Sequence, residues 1–372
     1  MRHALIAGWG MYLPSRVVSN ERFVEMGLDT SHEWIATRTG IETRRLAGPN
    51  ETTSDMAVRA GQQALLTAGA RPGDVDLVIV ATCTPDYVMP STASLVQERL
   101  GLANAGAIDL NAACSGFVYA LVMGAGQIEA RRARQVLVIG ADELSVHLNW
   151  KDRSTCVLFG DGAGAVLLRA AKEPGILASV VGSDGSGANL LTIPGVAARL
   201  NGSNGNGEQY LRMNGPQVFR SATQAMARAA EKVMAASGLS PEQVDLFIPH
   251  QANMRIIEST AKRLGIPRDK VFTNVGRYGN TSAASIPIAL CEAIAMGRVK
   301  EDTNIVMASF GAGLTWAAVG LRWGIDVTRR LPPWNPLQWQ LQTKVAALRS
   351  AIRRQERKVL TTIEEKLRRG GE

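Results

Sequence analysis

The 372-residue sequence contains little cysteine and no long apolar run, and both shortages exclude classes of protein. Its four cysteines include no Cys-x-x-Cys pair, so neither a disulfide scaffold nor a zinc site is expected. Two stretches, 110–128 and 303–321, lack charged residues, but their glycines and polar side chains indicate buried core rather than membrane spans. The first residues, MRHALIAGWG, do not resemble a secretory signal, and we expect a cytoplasmic protein with reduced thiols.

An excess of charge of one sign is also missing from most of the chain. The net charge is +8, but the tail from Asp326 onward holds eleven basic and five acidic side chains, which leaves only +2 for the body that precedes it. A nearly neutral body argues against a nucleic-acid partner, whereas the basic tail can act as a local interaction segment. With 46% hydrophobic and 20% charged residues, the composition is that of an ordinary globular protein.

The most informative pattern is an internal repeat with a constant offset along the chain. Residues 75–77 (Val-Asp-Leu) match residues 244–246, and Asn111 matches Asn280 at the same spacing. Each copy has an Ala-rich helix, a turn with proline, a β-branched strand, a second helix and a closing strand, which indicates an α/β fold with largely parallel sheets. Two such halves would pack about a pseudo-two-fold axis, and we expect a site where their equivalent loops meet.

Three residues lie at strand and helix ends, where catalytic side chains of such a fold are usually found. Cys114 precedes a predicted helix, so its thiol would face the positive end of the helix dipole, which lowers a thiol pKa. His250 is the one histidine of four that stands where a buried strand meets a loop. Asn280 lies in the polar loop GNTSAAS, where its amide can donate to an oxyanion. Each also has a structural interpretation, as a small buried thiol, a core histidine and a turn-capping amide.

Two glycine-rich stretches have different interpretations. FGAGLTW (310–316) follows a buried strand, and its backbone N–H groups can form an oxyanion hole. GDGAGAVLL (160–168) lacks the Gly-x-Gly-x-x-Gly spacing of a nucleotide loop, and we interpret it as a structural hairpin.

Together these motifs resemble one family. NAACSGF around Cys114, HQAN at 250–253 and GNTSAAS at 279–285 resemble the active-site motifs of the β-ketoacyl-[acyl carrier protein] synthase III family, and EWIATRTGI and NWKDRSTCVLFGDGAG match further segments. The resemblance covers about residues 3–325. It implies a thiolase-like fold, a duplicated αβαβα five-layer sandwich, followed here by a C-terminal helical extension.

The resemblance also implies an activity. An acyl group would pass from acyl-CoA to Cys114, and decarboxylative Claisen condensation with malonyl-acyl carrier protein would then initiate fatty-acid synthesis. The partners would be acyl carrier protein, acyl-CoA and a second copy of the chain in a homodimer, with no metal or other cofactor. The same motifs suit two rivals, namely a condensing enzyme of specialised metabolism or long-chain acyl condensation, and a thiol acyl-hydrolase. Asn280 argues against the hydrolase, which needs no second oxyanion donor.

Site residues carry over motif by motif from this resemblance. Catalytic roles fall on Cys114, His250 and Asn280, and the backbone N–H groups of Cys114 and Ala312 would form the oxyanion hole. The implied CoA contacts are Trp34, Arg38, Arg153, Gly215, Asn253 and Arg255. Met89 would reach the acyl pocket of the partner subunit. The implied carrier-protein contacts are Arg220, Arg255, Lys262 and Arg263. Without the resemblance, a loop anchor for Trp34 and ordinary surface charge for the arginines would be the preferred interpretations.

We expect three segments: an N-terminal half (1–172) with the nucleophile, a C-terminal half (173–325) with the histidine and asparagine, and a basic extension (326–372). The extension begins with a linker, LPPWNPLQW, and then carries an apolar stripe on one predicted amphipathic helix. The stripe consists of Val345, Leu348, Ile352, Val359, Ile363 and Leu367. Three interpretations stay open: a helix packed on the enzyme or its dimer mate, a helix that binds a membrane surface or the carrier protein, and a disordered tail. GSNGNGEQ (202–209) is expected to be a mobile loop beside the tunnel mouth.

Overall fold

The computed structural model describes residues 2–195, 210–325 and 336–369. Its strands are β1 (His3–Tyr12), β2 (Arg16–Ser19), β3 (Thr43–Leu46), β4 (Leu77–Ala81), β5 (Gly106–Leu110), β6 (Gln135–Asp142), β7 (Gly162–Ala171), β8 (Ile176–Ser183), β9 (Leu191–Thr192), β10 (Arg212–Met213), β11 (Leu246–Pro249), β12 (Asn304–Gly311) and β13 (Thr315–Arg322). Its helices are α1 (Glu21–Glu25), α2 (His32–Thr39), α3 (Thr53–Thr67), α4 (Thr92–Arg99), α5 (Gly116–Glu129), α6 (Gly215–Ser237), α7 (Met254–Leu264), α8 (Val275–Tyr278), α9 (Ser285–Ala295) and α10 (Pro336–Arg369).

Two sheets of similar topology form the centre of the molecule. The first has the order β1-β7-β6-β4-β5 and the second the order β8-β13-β12-β11. In the first sheet Leu77 pairs in parallel with Val136, and in the second Leu246 pairs in parallel with Ile305. Leu77 and Leu246 are separated by the same offset as Val136 and Ile305, so the predicted repeat is confirmed at the level of strand register.

The helices cover these sheets in layers. Helices α3 and α4 pack on the outer face of the first sheet, and α6 and α7 pack on the outer face of the second. Helices α5 and α9 lie between the two sheets, where Phe117, Leu121 and Leu290 are almost completely buried. The five layers confirm the predicted thiolase-like αβαβα sandwich, and they place the N-termini of α5 and α9 side by side at the centre.

Local sequence signals explain where the outer helices begin and end. Thr52 and Asp55 form a capping box at the start of α3, which satisfies two backbone N–H groups there. Helix α6 ends at Gly238, whose left-handed φ of 69° is accessible to glycine at little cost. The start of α3 and the end of α6 are therefore defined by local sequence.

Two details differ from the sequence-based expectations. The GDGAG segment is not a tight hairpin, because β7 begins at Gly162 and is paired on both sides, with β1 and β6. The predicted linker is also shorter than expected, since helix α10 already begins at Pro336, a residue well suited to a first helical turn. The predicted loop at 202–209 lies outside the described residues.

The division of the chain at residue 172 stays a prediction. In the structure, β7 ends at Ala171 and β8 begins at Ile176.

The extension forms one helix that touches the body on a side different from the described part of its apolar stripe. Ser350 is the buried contact, whereas Val345, Leu348, Ile352 and Val359 are exposed. The side chains of Ile363 and Leu367 lie outside the described part. Among the described helices, α10 included, none has the length and hydropathy that crossing a membrane requires.

Candidate active site

One cavity of about 510 Å³ brings the three candidate catalytic residues together. Cys114, His250 and Asn280 all line it and are buried, while Arg220 and Arg255 line it and are exposed at the surface. Much of the remaining wall is apolar, with residues such as Met226 and Phe310. The cavity therefore runs from a buried polar cluster to a basic opening, a shape that can admit an elongated substrate with an anionic head.

Cys114 is positioned by the turn in front of α5. The turn, Ala113–Ser115, is a short 3₁₀ segment, and Ala113 has a left-handed φ of 47°. The equivalent turn before α9, Ser282–Ala284, repeats this geometry with a φ of 51° at Ser282. Both halves thus present a strained residue at the same position of the internal repeat.

The predicted oxyanion hole lies beside this turn. Gly311 comes so close that a Cβ atom there would lie 2.7 Å from the backbone nitrogen of Cys114, which only glycine avoids. Ala312 follows in the turn between β12 and β13, and Thr315 Oγ1 ties this turn to the nucleophile turn by donating to the carbonyl of Ala112 at 2.9 Å. The structure therefore holds the backbone of residue 312 near that of Cys114.

The expected lowering of the Cys114 pKa is wrong. Burial raises the pKa of this thiol to about 12, because the side chain is only 7% exposed and a thiolate there loses its hydration. The expectation from the helix dipole omitted this desolvation. Hydrogen bonding acts in the opposite direction: Ser282 Oγ donates to Cys114 Sγ at 3.4 Å, which favours the thiolate and lowers the pKa.

His250 is held in a neutral state at the end of β11. Its backbone N–H donates to the carbonyl of Ala308 at 2.8 Å, and its Nδ1 lies 2.6 Å from Ser285 Oγ. Burial lowers the pKa of the imidazole to about 3, because the charged form loses its hydration. A neutral imidazole whose Nδ1 accepts from Ser285 would keep Nε2–H as a donor.

Asn280 is fixed by its own loop. Its Oδ1 accepts from the backbone N–H of Ser282 at 2.8 Å, and its backbone bonds to Leu158 and Gly160 on the neighbouring segment. Among the described residues its Nδ2 has no hydrogen-bond partner, so the amide keeps its donor for a group inside the cavity. The turn-capping interpretation and the donor interpretation thus apply to different atoms of one side chain.

Sequence reasoning missed the buried support behind these residues. Asp142, at the end of β6, accepts from the Cys83 backbone N–H at 2.8 Å and from the Ala283 N–H at 3.0 Å. It thereby joins the loop after β4 to the turn that carries Ser282. Ser285 is the second residue that was missed. A carboxylate as the last residue of a buried strand is the signal that could have indicated Asp142.

The structure brings three of the predicted CoA residues together at α2. The guanidinium carbons of Arg38 and Arg153 lie 4.6 and 4.9 Å from the centroid of the Trp34 ring. Asn253 Nδ2 donates to the carbonyl of Arg38 at 3.2 Å, and Asn253 also lines the cavity. Through this hydrogen bond, the group formed by Trp34, Arg38 and Arg153 is linked to the wall of the cavity. An adenine entering between Trp34 and Arg153 would have to separate a cation–π pair.

The remaining predicted residues are spread more widely. Gly215 starts α6 and lines the cavity together with Arg220 and Arg255. Lys262 instead lines a separate groove along α7, and Arg263 is exposed beside it. Met89 is 85% exposed and does not line the cavity of its own chain.

Comparison with known proteins gives consistent results. A family model for 3-oxoacyl-[acyl-carrier-protein] synthase III matches residues 108–185, and the model for its C-terminal part matches residues 234–323. The β-ketoacyl-[acyl-carrier-protein] synthase III of Roseiflexus castenholzii is 49% identical over 86% of this chain and 98% of its own.

Solved structures show the same similarity. The 3-oxoacyl-[acyl-carrier-protein] synthase III of Aquifex aeolicus is 47% identical, with a TM-score of 0.81 over 86% of this chain and 99% of that chain. A priming β-ketosynthase from a polyketide biosynthetic pathway is 38% identical, with a TM-score of 0.83 over 87% of this chain and 97% of that one.

Proposed function

This chain belongs to the 3-oxoacyl-[acyl-carrier-protein] synthase III family, the condensing enzymes that initiate fatty-acid synthesis, and on that premise we propose how its residues perform the reaction. Cys114 is the nucleophile, and His250 and Asn280 stabilise the anion formed by decarboxylation. The observation that carries the proposal is the single cavity that all three residues line.

In the first step the Cys114 sulfur attacks the thioester carbonyl of an acyl-CoA. The backbone N–H groups of Cys114 and Ala312 bind the oxyanion of the tetrahedral intermediate. The bond between the carbonyl carbon and the CoA sulfur then breaks, CoA leaves with the proton that Cys114 gave up, and an acyl-enzyme thioester remains. The hydrogen bond from Ser282 supports this step because it stabilises the thiolate that the buried site otherwise disfavours.

In the second step malonyl-acyl carrier protein enters the same cavity. Its terminal carboxylate leaves as carbon dioxide, and the electron pair moves into the thioester as an enolate. His250 Nε2–H and Asn280 Nδ2–H both donate to the enolate oxygen. The enolate carbon attacks the acyl group on Cys114, the sulfur leaves, and β-ketoacyl-acyl carrier protein forms. Decarboxylation drives the bond formation, so the proposed reaction needs no metal or redox cofactor.

Both substrates are proposed to bind at the opening, and Arg255 is shared by the two sites. Trp34 and Arg153 hold the adenine of CoA, Arg38 and Arg255 bind its phosphates, and Gly215 and Asn253 flank the pantetheine. Acidic carrier protein docks on the rim, where the basic residues attract it. The proposed rim residues are Arg220, Arg255, Lys262 and Arg263.

We also propose a cytoplasmic homodimer. The four free cysteines suit a reducing compartment. Tyr87, Val88 and Met89 form an exposed apolar segment in the loop between β4 and α4, and exposure of that kind is typical of a surface covered by a partner. In the dimer, Met89 reaches the acyl pocket of the other subunit, where a flexible thioether can accommodate primers longer than acetyl.

A second function in the same class is supported by one comparison. The polyketide priming enzyme has a TM-score as high as that of the fatty-acid enzyme, so the catalytic trio is compatible with priming of specialised metabolism. The two functions differ in primer and acceptor rather than in the residues at Cys114.

The test is a mass-spectrometric assay of the two half-reactions. We would incubate the protein with a panel of acyl-CoAs, from acetyl to branched and long-chain, and then add malonyl-acyl carrier protein. We expect an acyl adduct on Cys114 that disappears as β-ketoacyl-acyl carrier protein forms. Loss of the adduct to water alone would support a hydrolase instead, and no adduct from any CoA would contradict the proposed first step.

Two cysteine variants make this assay specific. Cys114→Ala should form no acyl adduct, because alanine has no nucleophilic atom that could attack the thioester. Cys156→Ala removes another buried thiol, in the core beside Phe23, and should keep the adduct. An adduct that survives in Cys114→Ala would assign the nucleophile to a different residue.

A further inference from the structure

Helix α10 lies beyond the residues that the family models match, which end at residue 323. The Roseiflexus enzyme matches 98% of its own length but only 86% of this chain. On the body, α10 rests against the end of α4 and the turn that follows it. Arg349, Ser350 and Arg353 face residues of the segment 97–103, and Ser350 is buried there.

The contact with α4 leaves an apolar face of α10 uncovered. This face consists of Leu341, Val345, Leu348, Ile352, Val359 and Leu360. Their steps of three, four and seven residues place most of them along one side of the helix, apart from the side that carries Ser350. Leu341 is 64% exposed and Leu348 is 62% exposed. At a rise of about 1.5 Å per residue the face is roughly 28 Å long, which is too extended to be a scatter of single exposed residues.

The charge of α10 decides what can cover this face. Residues 336–369 include nine basic and three acidic side chains, a net charge of +6. Arg353, Arg354, Arg357 and Lys358 are exposed. A second α10 packed against the first would bring two helices of net charge +6 together. The repulsion between them disfavours self-association through this face. An anionic surface is attracted instead, because every basic side chain near it adds a favourable electrostatic contribution.

The location of α10 argues against the carrier protein as the occupant. The acidic carrier must reach the cavity opening, whose exposed arginines stand on α6 and α7. Helix α10 rests on α4 instead, against the other half of the molecule. The negative charge of a carrier protein would suit the basic side chains of α10. The long apolar face of α10, however, is better matched by a surface that can accept apolar side chains along the whole length of the helix.

We propose that α10 binds the surface of an anionic lipid membrane. Its apolar face enters the boundary between headgroups and acyl chains, and its basic side chains contact anionic headgroups. The helix lies in the plane of the membrane and holds the catalytic body there through the contact at Ser350. This proposal concerns the extension alone and does not depend on the proposed chemistry of Cys114.

The test is vesicle co-sedimentation of the full-length protein. One set of vesicles contains phosphatidylcholine only, and the other contains one-third phosphatidylglycerol. We expect binding to the anionic vesicles that weakens with salt. The double variant Leu348→Gln/Ile352→Gln, which keeps charge and good helix formers, should bind more weakly by about tenfold. Met296→Gln removes an equally exposed apolar side chain from the body and should bind like the unchanged protein.

Several outcomes would overturn the proposal. Equal binding by the unchanged protein and the double variant would do so, as would equal binding to both kinds of vesicle. A change of oligomeric state in the double variant would assign the apolar face to a second copy, and loss of affinity for acyl carrier protein would assign it to the carrier. Condensation of soluble substrates, measured without vesicles on the same samples, separates a failure of this proposal from a failure of the proposed reaction.

Discussion

Two opposing effects act on the Cys114 thiol. The helix N-terminus favours a thiolate, but burial disfavours it more strongly and raises the pKa to about 12. The thiolate is therefore a minor species at neutral pH. As long as the pH stays below that pKa, raising it by one unit increases the thiolate population about tenfold. His250 does not contribute to this pH dependence, because burial lowers its pKa to about 3 and it is neutral throughout.

The residue that moderates this penalty is Ser282. Replacing it by alanine removes the hydrogen bond to Cys114 Sγ, and we expect acylation at pH 7 to slow about tenfold, equivalent to one unit of thiol pKa. Alanine is compatible with the turn, since Ala113 has a nearly equal φ at the equivalent position of the other half. The measurements are single-turnover acylation and the pH dependence of alkylation of Cys114, which should shift to higher pH in Ser282→Ala.

Ser285, the first residue of α9, provides the matched variant. It contacts His250 Nδ1 rather than the thiol, so Ser285→Ala should slow condensation from the acyl-enzyme and leave the alkylation profile of Cys114 in place. If Ser282→Ala slowed condensation while acylation stayed the same, the assignment of Ser282 to the thiol would be wrong.

Sequence reasoning identified the three buried polar residues of the cavity but not the residues that hold them in place. Cys114, His250 and Asn280 stand in recognisable motifs next to strand and helix ends. Asp142 and Ser285 act through contacts with residues distant in sequence, and the pKa of Cys114 depends on how much water the folded chain excludes. The spacing of residues along the sequence predicts neither these contacts nor this pKa, because both arise only when the chain folds and packs.

At the scale of whole elements the internal repeat was the strongest predictor. Strands β4 and β11 begin at Leu77 and Leu246, and β6 and β12 begin at Gln135 and Asn304, so both pairs keep the offset of the repeat. The GDGAG strand was misinterpreted because glycine is common in turns, whereas here Gly164 allows the strand to pack tightly. A Cβ on Gly164 would lie 2.7 Å from Cβ of Pro287 on α9.

Strand β5 is the element on which the proposed homodimer can be tested. It is an edge strand with β4 as its neighbour in the described part, and Ile108 on it is 41% exposed. If the partner covers this edge and the Tyr87–Met89 segment, Ile108→Lys should bury an unpaired charge and yield monomers. Light scattering after size-exclusion chromatography measures the mass directly.

Val181 offers a matched control for this prediction. It lies on β8, the edge strand of the second sheet, with a similar exposure of 46%. Val181→Lys should stay dimeric. Monomers from Val181→Lys together with dimers from Ile108→Lys would place the interface on the other sheet edge.

Over the whole molecule most of the net positive charge lies in the tail from Asp326 onward, and little of it lies in the body. The body that precedes Asp326 has a net charge of only +2, so attraction of an acidic carrier protein depends on where its basic residues stand rather than on their number. Arg220 and Arg255 stand at the cavity opening, whereas Lys262 lines a separate groove. Arg255 is also proposed to bind CoA, which makes Arg220 the cleaner probe of carrier docking.

Reversing the charge of Arg220 should therefore weaken the carrier substrate selectively. We expect Arg220→Glu to raise KM for malonyl-acyl carrier protein about tenfold at low salt and less at high salt, with KM for acyl-CoA nearly unchanged. Lys232→Glu is the control, because Lys232 is exposed on the same helix about three turns away and does not line the cavity. Lys262→Glu should have an intermediate effect. Equal effects of Arg220→Glu and Lys232→Glu would mean that the carrier responds to net charge alone, and the opening would then have no special part in docking.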